Sequence, residues 1–150
     1  MSIEHSMLVS RLIENKMVAR DCHRLIFSGN LKARIGVTVK VAGDATKALC
    51  YLNKGDKVRI RGAYGRPFDI KGGNPVLVAG GIGAAPLLLL ANSMHNSGIR
   101  GTVILGAKTE KEIPLQREFE MLGFETTIST DDGSRGFCGT ASDCLKNELA

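Results

Sequence analysis

Apolar and polar positions alternate in the first half of the chain and form continuous apolar blocks in the second. Over residues 7–12 and 23–27 the alternation predicts two half-buried strands, with Ser28-Gly29-Asn30 as punctuation. The clearest period of two is Ile35, Val37, Val39 and Val41, spaced by Gly36, Thr38 and Lys40, a strand with one face on a core. Asp44 is placed to cap a helix over residues 45–52, where Ala45, Ala48, Leu49 and Leu52 fall at helical spacing. After the turn Asn53-Lys54-Gly55-Asp56, residues 57–61 read as another strand and residues 62–68 as a bend rich in glycine and proline. Residues 1–73 are thus expected to be a mostly antiparallel β module with one inserted helix, ending at Lys71-Gly72-Gly73-Asn74.

From residue 74 to 150 the pattern becomes strand, helix, strand, helix, strand. Val76, Leu77, Val78 and Ala79 suit a strand buried on both faces, and Pro86 onward is rich in helix-forming Leu and Ala as far as Ser97-Gly98. Residues 102–105 give a second buried strand. Pro114 is expected in the first turn of a helix carrying Leu115, Phe119 and Leu122, stopped by Gly123. Residues 124–130 give the third strand, and Thr140-x-x-Asp143 has the form of a capping box for a last helix up to Leu149. Right-handed crossovers put these strands in the order 3-2-1, a small three-layer parallel-sheet module, α/β following β. Ligands of such sheets sit beyond the carboxyl ends of the strands, where the loops 80–85, 106–110 and 130–135 meet.

The first of these loops carries the sharpest chemical signal. Gly80, Gly81 and Gly83, followed by Ala84 and Pro86, turn a strand into a helix. Such a turn aims backbone N–H groups and the positive end of the helix dipole at one point, which suits a phosphate. The same glycines also serve a tight turn with no ligand. A membrane span is excluded for this stretch, because the apolar run is short and its centre is glycine-rich. In the second loop Lys108 can pair with a phosphate, a 2′-phosphate included, or stay solvated. In the third, Asp131 and Asp132 can accept from ribose hydroxyls, or one of them can hold the turn through bonds to the backbone. No nucleophile with a base is visible: Ser134 has no histidine after it, and Cys138 lies before a helix start, where a reactive thiolate and an inert structural thiol both fit. A catalytic role therefore requires a bound cofactor to supply the chemistry.

Charge and cysteine usage narrow the setting. The net charge of +5 divides unevenly, with 14 Lys/Arg against 6 Asp/Glu in residues 1–75 and 6 against 9 in residues 76–150. The basic residues are dispersed singly, as on a solvated surface, although the bias also suits phosphate groups or an acidic partner. With 5% aromatic residues and no Trp there are few stacking platforms for nucleic acid, which is not an expected partner. Cys22, Cys50, Cys138 and Cys144 lack any Cys-x-x-Cys pair, and His5, His23 and His95 are isolated, so neither a metal site nor an iron–sulfur cluster is supported. The first ten residues hold no secretory apolar core, which makes a cytoplasmic protein without a membrane segment the expectation.

Five segments in order carry a resemblance: Gly43-Asp44-Ala45-Thr46-Lys47-Ala48-Leu49, residues 62–68, residues 76–86, Gly106-Ala107-Lys108-Thr109, and Thr130-Asp131-Asp132-Gly133-Ser134. In these the chain resembles the ferredoxin–NADP reductase superfamily, most nearly the electron-transfer subunit of dihydroorotate dehydrogenase and sulfide-dehydrogenase-type relatives. The resemblance implies a small barrel for FAD, a parallel domain for NAD(H) or NADP(H), and electrons passed from nicotinamide through flavin to a partner. It would place Gly81, Gly83 and Pro86 at the pyrophosphate, Lys108 near the adenosine ribose, Asp131 and Asp132 at the third loop, and Gly43 and Thr46 as a remnant of the flavin contact. The family's Arg-x-(Tyr/Ser)-Ser type flavin motif has no counterpart in the bridge of residues 31–34. Its Cys-Gly-x-x-Pro turn and its cysteine-rich cluster motif are not found in this sequence either. The expectation is an NAD(P)H-binding, reductase-like electron-transfer subunit; the alternative is a non-catalytic nucleotide-binding or scaffold subunit. A shortened barrel leaves edges uncovered, so a homo-oligomer or a hetero-subunit partner is expected. A chain that is part of a longer protein would show the same gaps.

Overall fold

The computed structural model describes residues 7–28, 34–61 and 64–150. The bridge over residues 31–33, the punctuating Gly29 and Asn30, and Gly62 and Ala63 of the second matching segment lie outside the described residues. Two compact units result. One holds the chain up to Met17 with Asp21–Pro67, the other Val18–Arg20 with Phe68–Ala150.

The first unit is a four-stranded antiparallel sheet in the order β3-β2-β1-β4, half of a barrel. β1 spans Met7–Ala19, β2 Cys22–Ser28, β3 Arg34–Lys40 and β4 Lys57–Arg61. Its inner face packs Leu12, Leu25, Phe27 and Val39 against Cys50 of α1 (Asp44–Cys50). The first strand is longer than expected, because Glu14, Asn15 and Lys16 break the alternation of its sequence without breaking the strand. Asn15 is anchored: its amide donates to the Cys50 and Leu52 carbonyls at 2.8 and 3.0 Å and its oxygen meets His23 Nδ1 at 2.8 Å. The cap of α1 also differs from the expectation. Asp44 is the first helical residue and Gly43 the N-cap, while the Thr46 hydroxyl accepts the N–H groups of Ala42 and Gly43 at 2.9 and 3.0 Å. A side chain at the third helical position thus satisfies the N–H groups of the glycine cap and of the residue before it, the half of a capping box that runs back from the helix.

The second unit is a parallel sheet in the order β5-β6-β7-β8, formed by Val76–Gly80, Thr102–Ala107, Glu125–Thr130 and Phe137–Cys138. The three expected strands lie in the expected order, and β8 adds a short fourth that a two-residue pairing does not betray in sequence. α2 (Ala84–Asn96) and α3 (Gln116–Met121) cover one face, with Leu77, Ala79, Val103, Leu105 and Phe119 in the core between. α4 (Ala141–Glu148) covers the other, packing Ala141 and Cys144 on Ile104. Apolar layers on both faces are why these strands read as unbroken apolar runs. Gly106 permits the close approach of α4, since a Cβ there would stand 2.8 Å from the Ala141 Cβ. Pro114 is not in the first turn of α3 as expected. Leu115 takes a left-handed conformation (φ 63°) with its side chain buried, and the helix starts one residue later. The Thr140 cap forms as the sequence indicates, its hydroxyl accepting the Asp143 N–H at 3.2 Å. Among the described residues no helix is long and apolar enough to cross a membrane.

Candidate nucleotide site at the carboxyl ends of the parallel strands

Strand register brings the three loops to one level. Gly80 of β5 lies opposite Gly106 of β6, and Gly106 opposite Ser129 of β7. The chain leaves β5 in a single 3-10 turn, Gly81–Gly83, that runs directly into α2. Gly81 has φ +50°, a left-handed conformation that favours glycine. A Cβ built on Gly80, Gly81 or Gly83 would meet nothing within 4 Å. No packing requirement explains the missing side chains at Gly80 and Gly83; what their absence leaves is an open, exposed backbone at the start of a helix. At the junction with α2 main-chain N–H groups donate to the Gly81 and Ile82 carbonyls, so what the turn offers an anion is its open glycine backbone and the positive end of the helix dipole. Ala84 offers a ligand no side chain, because its methyl is fully buried in the core. Pro86 has no N–H, and its fixed φ suits the first turn of α2.

The loops after β6 and β7 are tied to each other. The Asp131 N–H donates to the Ala107 carbonyl at 3.0 Å, and the Asp132 N–H to that of Lys108 at 3.3 Å. The Ser134 hydroxyl donates to Asp132 Oδ1 at 2.6 Å and accepts the Glu110 N–H at 2.9 Å. Asp132 Oδ1 also takes the Ser134 N–H at 3.0 Å, and Arg135 pairs with Glu110 at 3.6 Å. Beneath them the buried Thr130 hydroxyl bonds both main-chain groups of Arg135. Asp132 is therefore the aspartate that holds the turn, while the exposed carboxylate of Asp131 and the exposed side chain of Lys108 stand at the loop surface. Ser134 is a bridge rather than a nucleophile. Glu110 and Arg135, which the sequence did not single out, complete the bridge; no local motif signals partners 24 residues apart.

The Ser134 hydroxyl, and then its N–H, hold the Asp132 carboxyl below the usual carboxylate range. A depressed folded-state value contributes stability above the ordinary carboxylate range, lost as pH falls through that lower value. Ser134→Ala is expected to raise the Asp132 titration toward the ordinary range, as followed by carboxyl NMR across acidic pH. An unmoved titration would remove Ser134 as the cause.

Two further groups bear on what the site can hold. The Thr109 hydroxyl, in the loop after β6, is buried without a hydrogen-bond partner among the described residues, which costs about 1–3 kcal/mol while it stays unmade. The open glycine backbone suits a polar, phosphate-bearing ligand. The remnant expected for flavin fits less well. The Thr46 hydroxyl accepts two N–H groups and donates to the Gly43 carbonyl at 2.9 Å, which uses its one donor and both lone pairs. Gly43 is exposed with open space where a Cβ would stand. Burial pushes the thiols of Cys22, Cys50 and Cys144 up, the signature of structural cysteines. Cys138 is exposed, and a Cβ on Gly133 would stand 3.1 Å from its sulfur.

Comparison with known proteins converges on one class. No family model matches the chain. Over 122 residues it is 34% identical to a probable dihydroorotate dehydrogenase B (NAD(+)), electron transfer subunit, of Methanopyrus kandleri, covering 81% of this chain and 47% of that protein. A probable subunit of the same description from Pyrococcus furiosus is 42% identical over 109 residues, 73% of this chain and 43% of that protein. Among solved structures, an NADH-dependent reduced ferredoxin-NADP oxidoreductase matches with TM-score 0.77 at 22% identity, over 93% of this chain and 63% of that one. Amycolatopsis cytochrome P450 reductase GcoB matches with TM-score 0.81 at 19% identity, over 99% and 60%. These likenesses define the fold class, that of ferredoxin–NADP reductase-like proteins. Within that class its sequence relatives are the electron transfer subunits of dihydroorotate dehydrogenase B, and it spans less than half the length of those curated proteins.

Proposed function

We propose that this chain is an NAD(P)H-binding, reductase-like electron-transfer subunit. It takes electrons from reduced nicotinamide to a flavin and passes them to a partner subunit. The observation that carries this reading is the open glycine turn at the start of α2, level with the two bridged loops of β6 and β7. In it, backbone N–H groups of the turn seat the pyrophosphate, Lys108 lies toward the adenosine ribose, and Asp131 accepts from a ribose hydroxyl. The nicotinamide would supply the hydride chemistry when bound; the residues of this chain bind and orient. The first unit stands in this reading as a shortened flavin module and residues 74–150 as the nucleotide module. The relatives' description as electron transfer subunits supports a partner subunit, and the free cysteines suit the cytoplasm, where thiols stay reduced.

The saturated Thr46 hydroxyl favours a second reading, a nucleotide-binding or scaffold subunit that has lost its flavin site. The visible spectrum of the purified chain, with calorimetric titration of NADH and NADPH, tests both. Flavin bands with nucleotide heat support the reductase. Nucleotide heat without flavin uptake, even from added FAD, supports the second reading, and the absence of both signals overturns the nucleotide site itself.

A further inference from the structure

The four strands of the first unit hold eight Lys or Arg and a single carboxylate, Glu14. The cations gather on one side of the ladder between β1 and β4. Leu12 of β1 marks the inner face, joined from β4 by Val58 and Ile60. Side chains alternate along a strand, so Arg11, Lys57, Arg59 and Arg61 point outward, and all four are exposed. No Asp or Glu occurs in residues 7–13 or 57–61. Among the described residues no salt bridge neutralises any of the four.

The register makes this arrangement costly. Arg11 stands directly opposite Lys57 on the ladder, and like charges so placed destabilise a sheet. Outward side chains along one strand lie about 7 Å apart, and the neighbouring strand about 5 Å away, so four like charges crowd a small patch. Folding gains nothing from them, and a fold breaks such local rules at functional sites. Cover by a packing layer of the same chain does not account for the patch. Lys and Arg are almost never fully buried unless paired, and that layer would need a carboxylate for each of the four. A second copy of the same face would meet it cation against cation.

We propose that the outward face of the β1–β4 ladder docks an acidic protein surface, whose carboxylates are set against Arg11, Lys57, Arg59 and Arg61. Three of the four are arginines. Their planar forks take a carboxylate through two parallel bonds, and arginine is enriched at protein interfaces where lysine is depleted. Residues 7–13 and 57–61 contain no aromatic residue, so the patch offers the bases of a nucleic acid nothing to stack on. Complementary charge also steers encounter and rejects basic partners. The docking does not depend on what the glycine turn binds.

Poly-L-glutamate is the probe, titrated calorimetrically into the protein at its native length. Binding is expected at about 50 mM salt and should weaken at least about tenfold by about 200 mM, as screening shortens the reach of the cations. Arg59→Glu should weaken it roughly tenfold, the scale of one well-placed interface charge. Arg117→Glu, the same change of charge on an exposed residue of α3, should leave it nearly unchanged. Lys57→Glu should lower probe affinity and yet raise the denaturation midpoint, because it turns a like pair with Arg11 into an unlike one. Absence of binding at low salt overturns the proposal, whether the face is then solvated or closed by the protein's own chain. So does a loss as large in Arg117→Glu as in Arg59→Glu, which would make net charge the cause. A midpoint that Lys57→Glu does not raise, or a single-stranded oligonucleotide of equal charge bound more tightly than the probe, overturns it as well.

Discussion

Gly83→Val should abolish nucleotide binding while leaving the protein folded. Gly83 has φ −60° and ψ −14°, ordinary helical values that valine adopts, and its added Cβ would meet no protein atom within 4 Å. The cost to stability is therefore expected below about 1 kcal/mol, within the range of unremarkable surface changes. The branched side chain would instead fill the space over the first helical turn, where a phosphate would sit. Calorimetric affinity for whichever of NADH and NADPH the parent chain takes should fall at least tenfold, about 1.4 kcal/mol. Gly81→Val makes the contrast, because its φ of +50° strains any side chain, so it should lose stability as well as binding. Unchanged affinity in Gly83→Val would show that the turn is only a turn.

The second large effect is expected at Gly136, where the chain enters β8. A Cβ there would lie 2.1 Å from the Ile128 carbonyl oxygen and 2.8 Å from its carbon, at φ +70°. Backbone cannot swing aside as a side chain can, and the left-handed conformation adds its own penalty. Gly136→Ala is expected to destabilise the second unit by roughly 2–5 kcal/mol, the sum of that strain and of overpacking. Gly133→Ala, four residues after Ser129, is the control: its φ is +69°, but its nearest obstacle is the Cys138 sulfur at 3.1 Å, the end of a side chain. Denaturant unfolding should show a clearly smaller loss there. Equal losses would mean that the contact with Ile128 relaxes freely.

The second unit was legible in sequence because its strands are covered on both faces, so Val76–Gly80 and Thr102–Ala107 advertise themselves as apolar blocks. β1 was legible only in part. Its middle is held by Asn15 reaching Cys50, Leu52 and His23, contacts between residues far apart in the chain, which no periodicity encodes. The start of α3 was misplaced because the left-handed Leu115 obeys its buried environment rather than its intrinsic preference. At the site, the glycine turn could be read from its residues alone, since only backbone is needed there. The rest could not: which of Asp131 and Asp132 is structural depends on the direction of the Ser134 hydroxyl, and that direction is set by Glu110.

That hydroxyl joins two loops into one thermodynamic object. Because Glu110, Asp132, Ser134 and Arg135 share bonds, the energies of changing any two of them will not add, and a substitution after β6 will register in the loop after β7. Among the described bonds, none ties the glycine turn into this set. The loops after β6 and β7 thus respond as a unit, while the glycine turn can vary alone.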